Sequence, residues 1–97
     1  MKFGLTEEDY SFIKNHLKKV EELGAAVYCF GSRARGDHQK FSDLDLMVEF
    51  ERDLLIEIGD LKEIFVESNL PIKIDIVQSK NFAESYREGY LKDRIEF

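Results

Sequence analysis

The stretch that decides the fold is FGSRARGDHQKFSDLDLMVEF, Phe30 to Phe50. An apolar run stops at Gly31-Ser32, a basic segment follows, and a strictly alternating run begins at Asp43. In DLDLMVEF the period of two puts Leu44, Leu46, Val48 and Phe50 on one face and Asp43, Asp45, Met47 and Glu49 on the other. This is a half-buried strand with two carboxylates leading its polar face.

Upstream, Ala25 to Phe30 (AAVYCF) is short, apolar and bounded by glycines, which predicts a buried strand. Before it, Thr6 and Asp9 form a capping arrangement, and Tyr10, Ile13, Leu17 and Val20 recur at helical spacing until Gly24 stops them. Downstream, Leu54, Ile58, Leu61 and Phe65 mark an amphipathic helix with Asp53 as its cap and Asn69-Leu70-Pro71 as its exit. PIKIDIV then predicts a third strand, Ile72 to Val77, with Ile72, Ile74 and Ile76 on one face and Lys73, Asp75 and Val77 on the other. From Asn81 onward Phe82, Tyr86 and Tyr90 predict a last helix. The order is α-β-(turn/helix)-β-α-β-α.

The helix between the second and third strands is long enough for a right-handed crossover, which makes those strands parallel neighbours. Residues two apart on a strand lie roughly 6.5 to 7 Å apart and the next strand about 4.7 to 4.9 Å away, so Asp43, Asp45 and Asp75 converge. Converging carboxylates repel one another unless something positive sits between them. Oxygen ligands without nearby His or Cys favour Mg²⁺ or Mn²⁺, and Mg²⁺ usually borrows ligands from substrate phosphates.

Gly31 lets a phosphate approach the backbone, Ser32 adds a hydroxyl, and the following N–H groups open a helix. Arg33 and Arg35 add charge beside this turn, open to phosphate, to a partner or to neighbouring acids. Neither a P-loop nor a dinucleotide fingerprint is present. His38, in the DHQKF loop, is expected to be exposed, and His16 and Cys29 have no expected catalytic role. Tyr86 and Tyr90 read as packing residues, with a base or a partner surface as the alternative.

A chain of 97 residues, 43% hydrophobic and 35% charged, fits one domain, 1–97, with a core of its own. No run is long enough to span a membrane, no secretory leader is visible, and the lone Cys29 suits a reducing cytoplasm. The net charge of −6 argues against unaided binding of nucleic acid and suits a basic protein partner.

GSRARG (Gly31–Gly36), SDLDL (Ser42–Leu46) and the later Asp75 together resemble the DNA polymerase beta-like nucleotidyltransferases, specifically the minimal group, over nearly the whole chain. The resemblance implies an α/β (α+β) fold, a small mixed sheet flanked by helices. It also implies two Mg²⁺ ions on Asp43, Asp45 and Asp75, and a nucleoside triphosphate, ATP, on Gly31 and Ser32. An acceptor hydroxyl would attack the α-phosphorus in line. Members of the minimal group commonly act as antitoxins paired with a HEPN-domain ribonuclease, and several transfer AMP from ATP to a tyrosine of that toxin, so the resemblance implies such a partner, in a hetero-oligomer, for this chain. The alternatives are an antitoxin that acts by occlusion alone, and transfer to a small hydroxylated molecule.

Overall fold

The computed structural model describes residues 2–97. Helix α1 spans Glu7–Glu21, and its cap Thr6 accepts the Asp9 N–H at 3.1 Å. Glu7, Glu8 and Asp9 in its first turn and Lys18 and Lys19 in its last complement the helix dipole. There follow strand β1 (Ala26–Phe30), short helix α2 (Ser32–Arg35), strand β2 (Leu44–Glu49), helix α3 (Leu55–Glu67) and strand β3 (Ile74–Gln78). A 3₁₀ turn (Ser79–Asn81), helix α4 (Glu84–Asp93) and strand β4 (Ile95–Glu96) complete the chain.

The sheet order is β3-β2-β1-β4. As the crossover requires, β2 and β3 are parallel, while β1 runs antiparallel to both β2 and β4. The alternating residues divide as their hydrophobicity dictates. Val27, Cys29, Leu44, Leu46, Val48 and Ile76 join Ile13, Leu17 and Val20 of α1 and Ile58, Leu61 and Phe65 of α3 in one core. Burying each large aliphatic side chain there stabilises the fold by about 1.5–3 kcal/mol relative to leaving it in water.

The opposite face is only partly covered. Tyr90 of α4 lies 5.3 Å from the Phe30 ring and donates its hydroxyl to Glu49 at 2.6 Å. It thus spans the part of β2 that carries Met47. Met47, expected on an open polar face, is accordingly fully buried. The last helix begins at Glu84 rather than near Asn81, because the 3₁₀ turn comes first.

Other elements also differ from expectation, and strand β2 starts at Leu44 rather than Asp43. Strand β3 begins at Ile74 rather than Ile72, although the ladder extends to Lys73, whose carbonyl accepts the Leu44 N–H at 3.0 Å. Strand β4 has two exposed residues, too few for a periodic signal, and exists by pairing with Tyr28 and Cys29. Helix α3 starts at Leu55, with Leu54 at the cap position. Asp53 still accepts the Leu55 N–H at 3.1 Å, and the buried Gln78 carboxamide oxygen accepts the Leu54 N–H at 2.9 Å. The Gln78 amide also donates to the carbonyls of Phe50 (3.3 Å) and Arg52 (2.7 Å), so one side chain ties three backbone groups of the β2–α3 connection.

Candidate active site

Register builds the site. Phe30, Asp45 and Asp75 are partners across β1, β2 and β3, so their side chains stand in one row on the face that α4 leaves partly open. Asp43 lies in the loop immediately before β2 and is exposed. Gly31 follows Phe30 with φ 75° and ψ −157°, a conformation that belongs essentially to glycine alone. A Cβ there would stand 2.5 Å from the Asp45 carboxylate, so the absence of a side chain at Gly31 is what gives Asp45 its room.

Burial, reinforced by the charges of Asp75 and Asp43 and only partly offset by Arg35, pushes the Asp45 carboxyl from 3.8 up to about 6. The charges of both other predicted aspartates therefore reach Asp45. Asp45 and Asp75 form the fixed pair on the sheet, and Asp43 is the outlying member. Among the described residues, no three His, Cys, Asp or Glu side chains close around one point in these orientations. An under-compensated pair of hard oxygen donors, with a third at its edge and no imidazole or thiolate beside it, fits a Mg²⁺-type cation.

The two arginines have different roles. Arg33, expected to meet phosphate, is 4% exposed, and its guanidinium donates to the carbonyls of Ser42 (3.0 Å), Phe3 (2.8 Å) and Lys40 (3.1 Å). Two of those carbonyls lie in the loop that delivers Asp43 and one in the N-terminal segment, so from its buried position Arg33 braces that loop. Arg35 remains exposed between Asp37 (3.0 Å) and Asp93 (2.9 Å), close enough to Asp45 to lower its pKa. Ser32 opens α2 directly after Gly31.

His38, expected to be exposed, is half-buried, and its Nδ1 has no partner among the described residues. Cys29 is a core residue whose thiol is pushed up to about 12 by burial. The tyrosines split: Tyr90 is buried, with burial and its bond to Glu49 raising its pKa, whereas Tyr86 is 67% exposed.

Two concavities flank the carboxylates. A cleft of about 290 Å³ opens beside Gly31, between Phe30 and α4. A groove of about 390 Å³ runs from Asp75 past Lys73 to Lys62 and Val66 on α3.

The description "Nucleotidyltransferase domain" matches residues 13–97, the segment that carries the Gly31-Ser32 turn and all three aspartates. This chain belongs to the nucleotidyltransferase domain family. It is 35% identical over 85 residues to "Probable protein adenylyltransferase MntA" of Haemophilus influenzae, covering 87% of this chain and 74% of that protein. It is 28% identical over 92 residues to "Protein adenylyltransferase MntA" of Thermococcus cleftensis, covering 92% of each. A solved chain described as "Structure of putative minimal nucleotidyltransferase" superposes with a TM-score of 0.71 at 33% identity, covering 100% of this chain and 97% of that one. A second, described as "Crystal structure of the toxin-antitoxin with AMP-PNP", shares the fold with a TM-score of 0.60 at 22% identity, covering 73% of this chain and 57% of that one.

These likenesses put the nucleotidyltransferase among the minimal, MntA-type members of its family. The mixed four-stranded sheet with flanking helices is the fold that the sequence motifs imply. Among the described residues no helix of the nucleotidyltransferase is long and apolar enough to cross a membrane.

Proposed function

We propose that this nucleotidyltransferase transfers AMP from ATP to a hydroxyl of a partner protein, a tyrosine of a HEPN-domain ribonuclease toxin, and so acts as its antitoxin. The observation that carries the reading is the row Asp45–Asp75 set against the glycine-only turn at Gly31, its charge only partly offset by Arg35. The names of the relatives in Haemophilus influenzae and Thermococcus cleftensis support protein adenylylation as the reaction. The shared fold with a toxin-antitoxin structure containing AMP-PNP is compatible with the partner class.

In this reading Gly31 and Ser32 receive the phosphates, and Arg35, the exposed arginine, adds charge beside them. Asp43, Asp45 and Asp75 would hold two Mg²⁺ ions, whose chemistry is to neutralise the phosphate oxygens and favour ionisation of the acceptor hydroxyl. Asp45 and Asp75, fixed on adjacent strands, set the position of the α-phosphorus relative to the acceptor. The acceptor oxygen bonds to that phosphorus in line while the bond to pyrophosphate breaks, and the hydroxyl proton leaves to a carboxylate or to water. The groove at Asp75 gives the acceptor an approach on the side away from Gly31. The acidic chain suits a basic partner, and the reading sets the reaction in the cytoplasm.

The test is to incubate the protein with α-labelled ATP, Mg²⁺ and a HEPN protein encoded beside it, following label and intact mass on both chains. Label on the partner, lost with Asp43→Asn plus Asp45→Asn, is the expected result. An unlabelled but tightly bound partner, protected equally by the double variant, would replace catalysis by occlusion, and label on a small hydroxylated molecule would replace the acceptor class.

A further inference from the structure

The cleft beside Gly31 is not explained by phosphate or carboxylate chemistry. Its walls are aromatic: Phe30 and Phe82 meet edge to face at 5.6 Å, Tyr90 closes the floor at 5.3 Å from Phe30, and Tyr86 stands at the mouth, 6.0 Å from Phe82. A large aromatic ring such as Tyr86, 67% exposed at the mouth of an apolar cleft, is an unfilled contact surface.

Gly89 supplies the second observation. It lies inside α4, where glycine costs a helix about 1 kcal/mol relative to alanine. A Cβ added there would meet nothing within 4 Å, so packing does not demand glycine at this position. Gly89 is exposed and lines the cleft, so a long side chain there would have room to extend across it.

We propose that this cleft is the nucleobase subsite, that it grips the base by its faces, and that Gly89 keeps it open. The inference rests on the proposed ATP-dependent transfer and extends it to base selection. A triphosphate lying on Gly31 and Ser32 has the cleft directly beside it. Of the polar side chains on the walls, Tyr90 gives its hydroxyl to Glu49 and Arg35 is paired with Asp93, which leaves the Tyr86 hydroxyl at the mouth and the remaining donors of Arg35 on the phosphate side. With few donors or acceptors offered to the base edges, the cleft recognises ring area and stacking rather than an edge pattern. Strong rejection of a close analogue requires hydrogen bonds that the analogue cannot make, so ATP and GTP should bind within about tenfold of each other.

The experiment is calorimetric titration, in Mg²⁺, of ATP, GTP and inorganic tripolyphosphate into the full chain and into Gly89→Leu and Tyr86→Ala. Neither variant touches the carboxylates, and far-ultraviolet circular dichroism checks that both are folded. The expected result is ATP binding weakened roughly 5- to 150-fold in both variants, the range for losing one stacked base, with tripolyphosphate unchanged. Wild-type ATP affinity in both variants, or equal loss for ATP and tripolyphosphate, would overturn the subsite while leaving the transfer reaction standing. A preference above a hundredfold for one purine would overturn recognition by faces. If the wild type bound neither ATP nor tripolyphosphate, the transfer reading and the subsite would fall together.

Discussion

Replacing Asp45 by Asn should make the metal-free protein more stable at neutral pH. Asp45 is held with a carboxyl raised from 3.8 to about 6 by burial and by the charges of Asp75 and Asp43. A carboxyl whose folded pKa lies above its unfolded value binds protons more tightly in the native state. Its ionisation therefore costs stability progressively as pH rises through the window from about 4 to 6, and the full cost is present above it. Taken at face value the shift corresponds to about 3 kcal/mol. Because the side chain is only partly buried, solvent screening leaves about 1–1.5 kcal/mol. For a chain of this size that is a rise in Tm of about 4–12 °C. The assay is a pair of thermal melts, wild type and Asp45→Asn, in chelator at pH 7.5 and at pH 4.5. The advantage of the variant should be clear at pH 7.5 and shrink at pH 4.5, and Mg²⁺ should erode it by stabilising only the wild type. A variant no more stable than the wild type at pH 7.5, or an advantage that does not change with pH, would refute the reasoning.

Three further outcomes follow from contacts already described. Arg33→Met should cost about 2–4 kcal/mol, since three backbone carbonyls lose a charged donor, whereas Arg35→Met should leave the urea midpoint essentially unmoved and alter only nucleotide affinity. Gln78→Leu should cost about 2–4 kcal/mol in chemical denaturation, because the Leu54 N–H and the Phe50 and Arg52 carbonyls lose their shared partner in the interior. Gly31→Ala should cost at least about 2 kcal/mol through its backbone conformation and the clash with Asp45. Adding Asp45→Ala to that variant should return part of the loss in a double-mutant cycle, and strict additivity would contradict the clash.

Much of this was legible before any coordinates. The period of two from Asp43 to Phe50, repeated in PIKIDIV, is enough to set Asp45 and Asp75 on one face, because side-chain alternation is a property of any pleated strand. The crossover argument makes their strands parallel neighbours, and the register pairs the two residues directly. What periodicity does not carry is where α4 crosses the sheet. Tyr86 and Tyr90 share a side of that helix, yet Tyr90 reaches Glu49 while Tyr86 stands at the cleft mouth, and Met47 is buried by the same placement. Nor does Arg-x-Arg spacing say which arginine turns inward. Arg33 is consumed by carbonyls contributed from Phe3, Lys40 and Ser42, a tertiary arrangement with no local signature.

Arg33 and Gln78 are both buried polar side chains, and they act at opposite ends of the same strand. Arg33 grips the loop entering β2 through Lys40 and Ser42, and Gln78 grips the segment leaving it through Phe50, Arg52 and Leu54. A slip of β2 by a single residue would turn Asp45 into hydrocarbon and Leu44 and Leu46 out into water, exchanging the reactive face for the core. Either clamp must break before that slip can occur. The alignment of Asp45 with Asp75 is therefore locked against sliding from both ends, by two residues that are free to take no part in the chemistry.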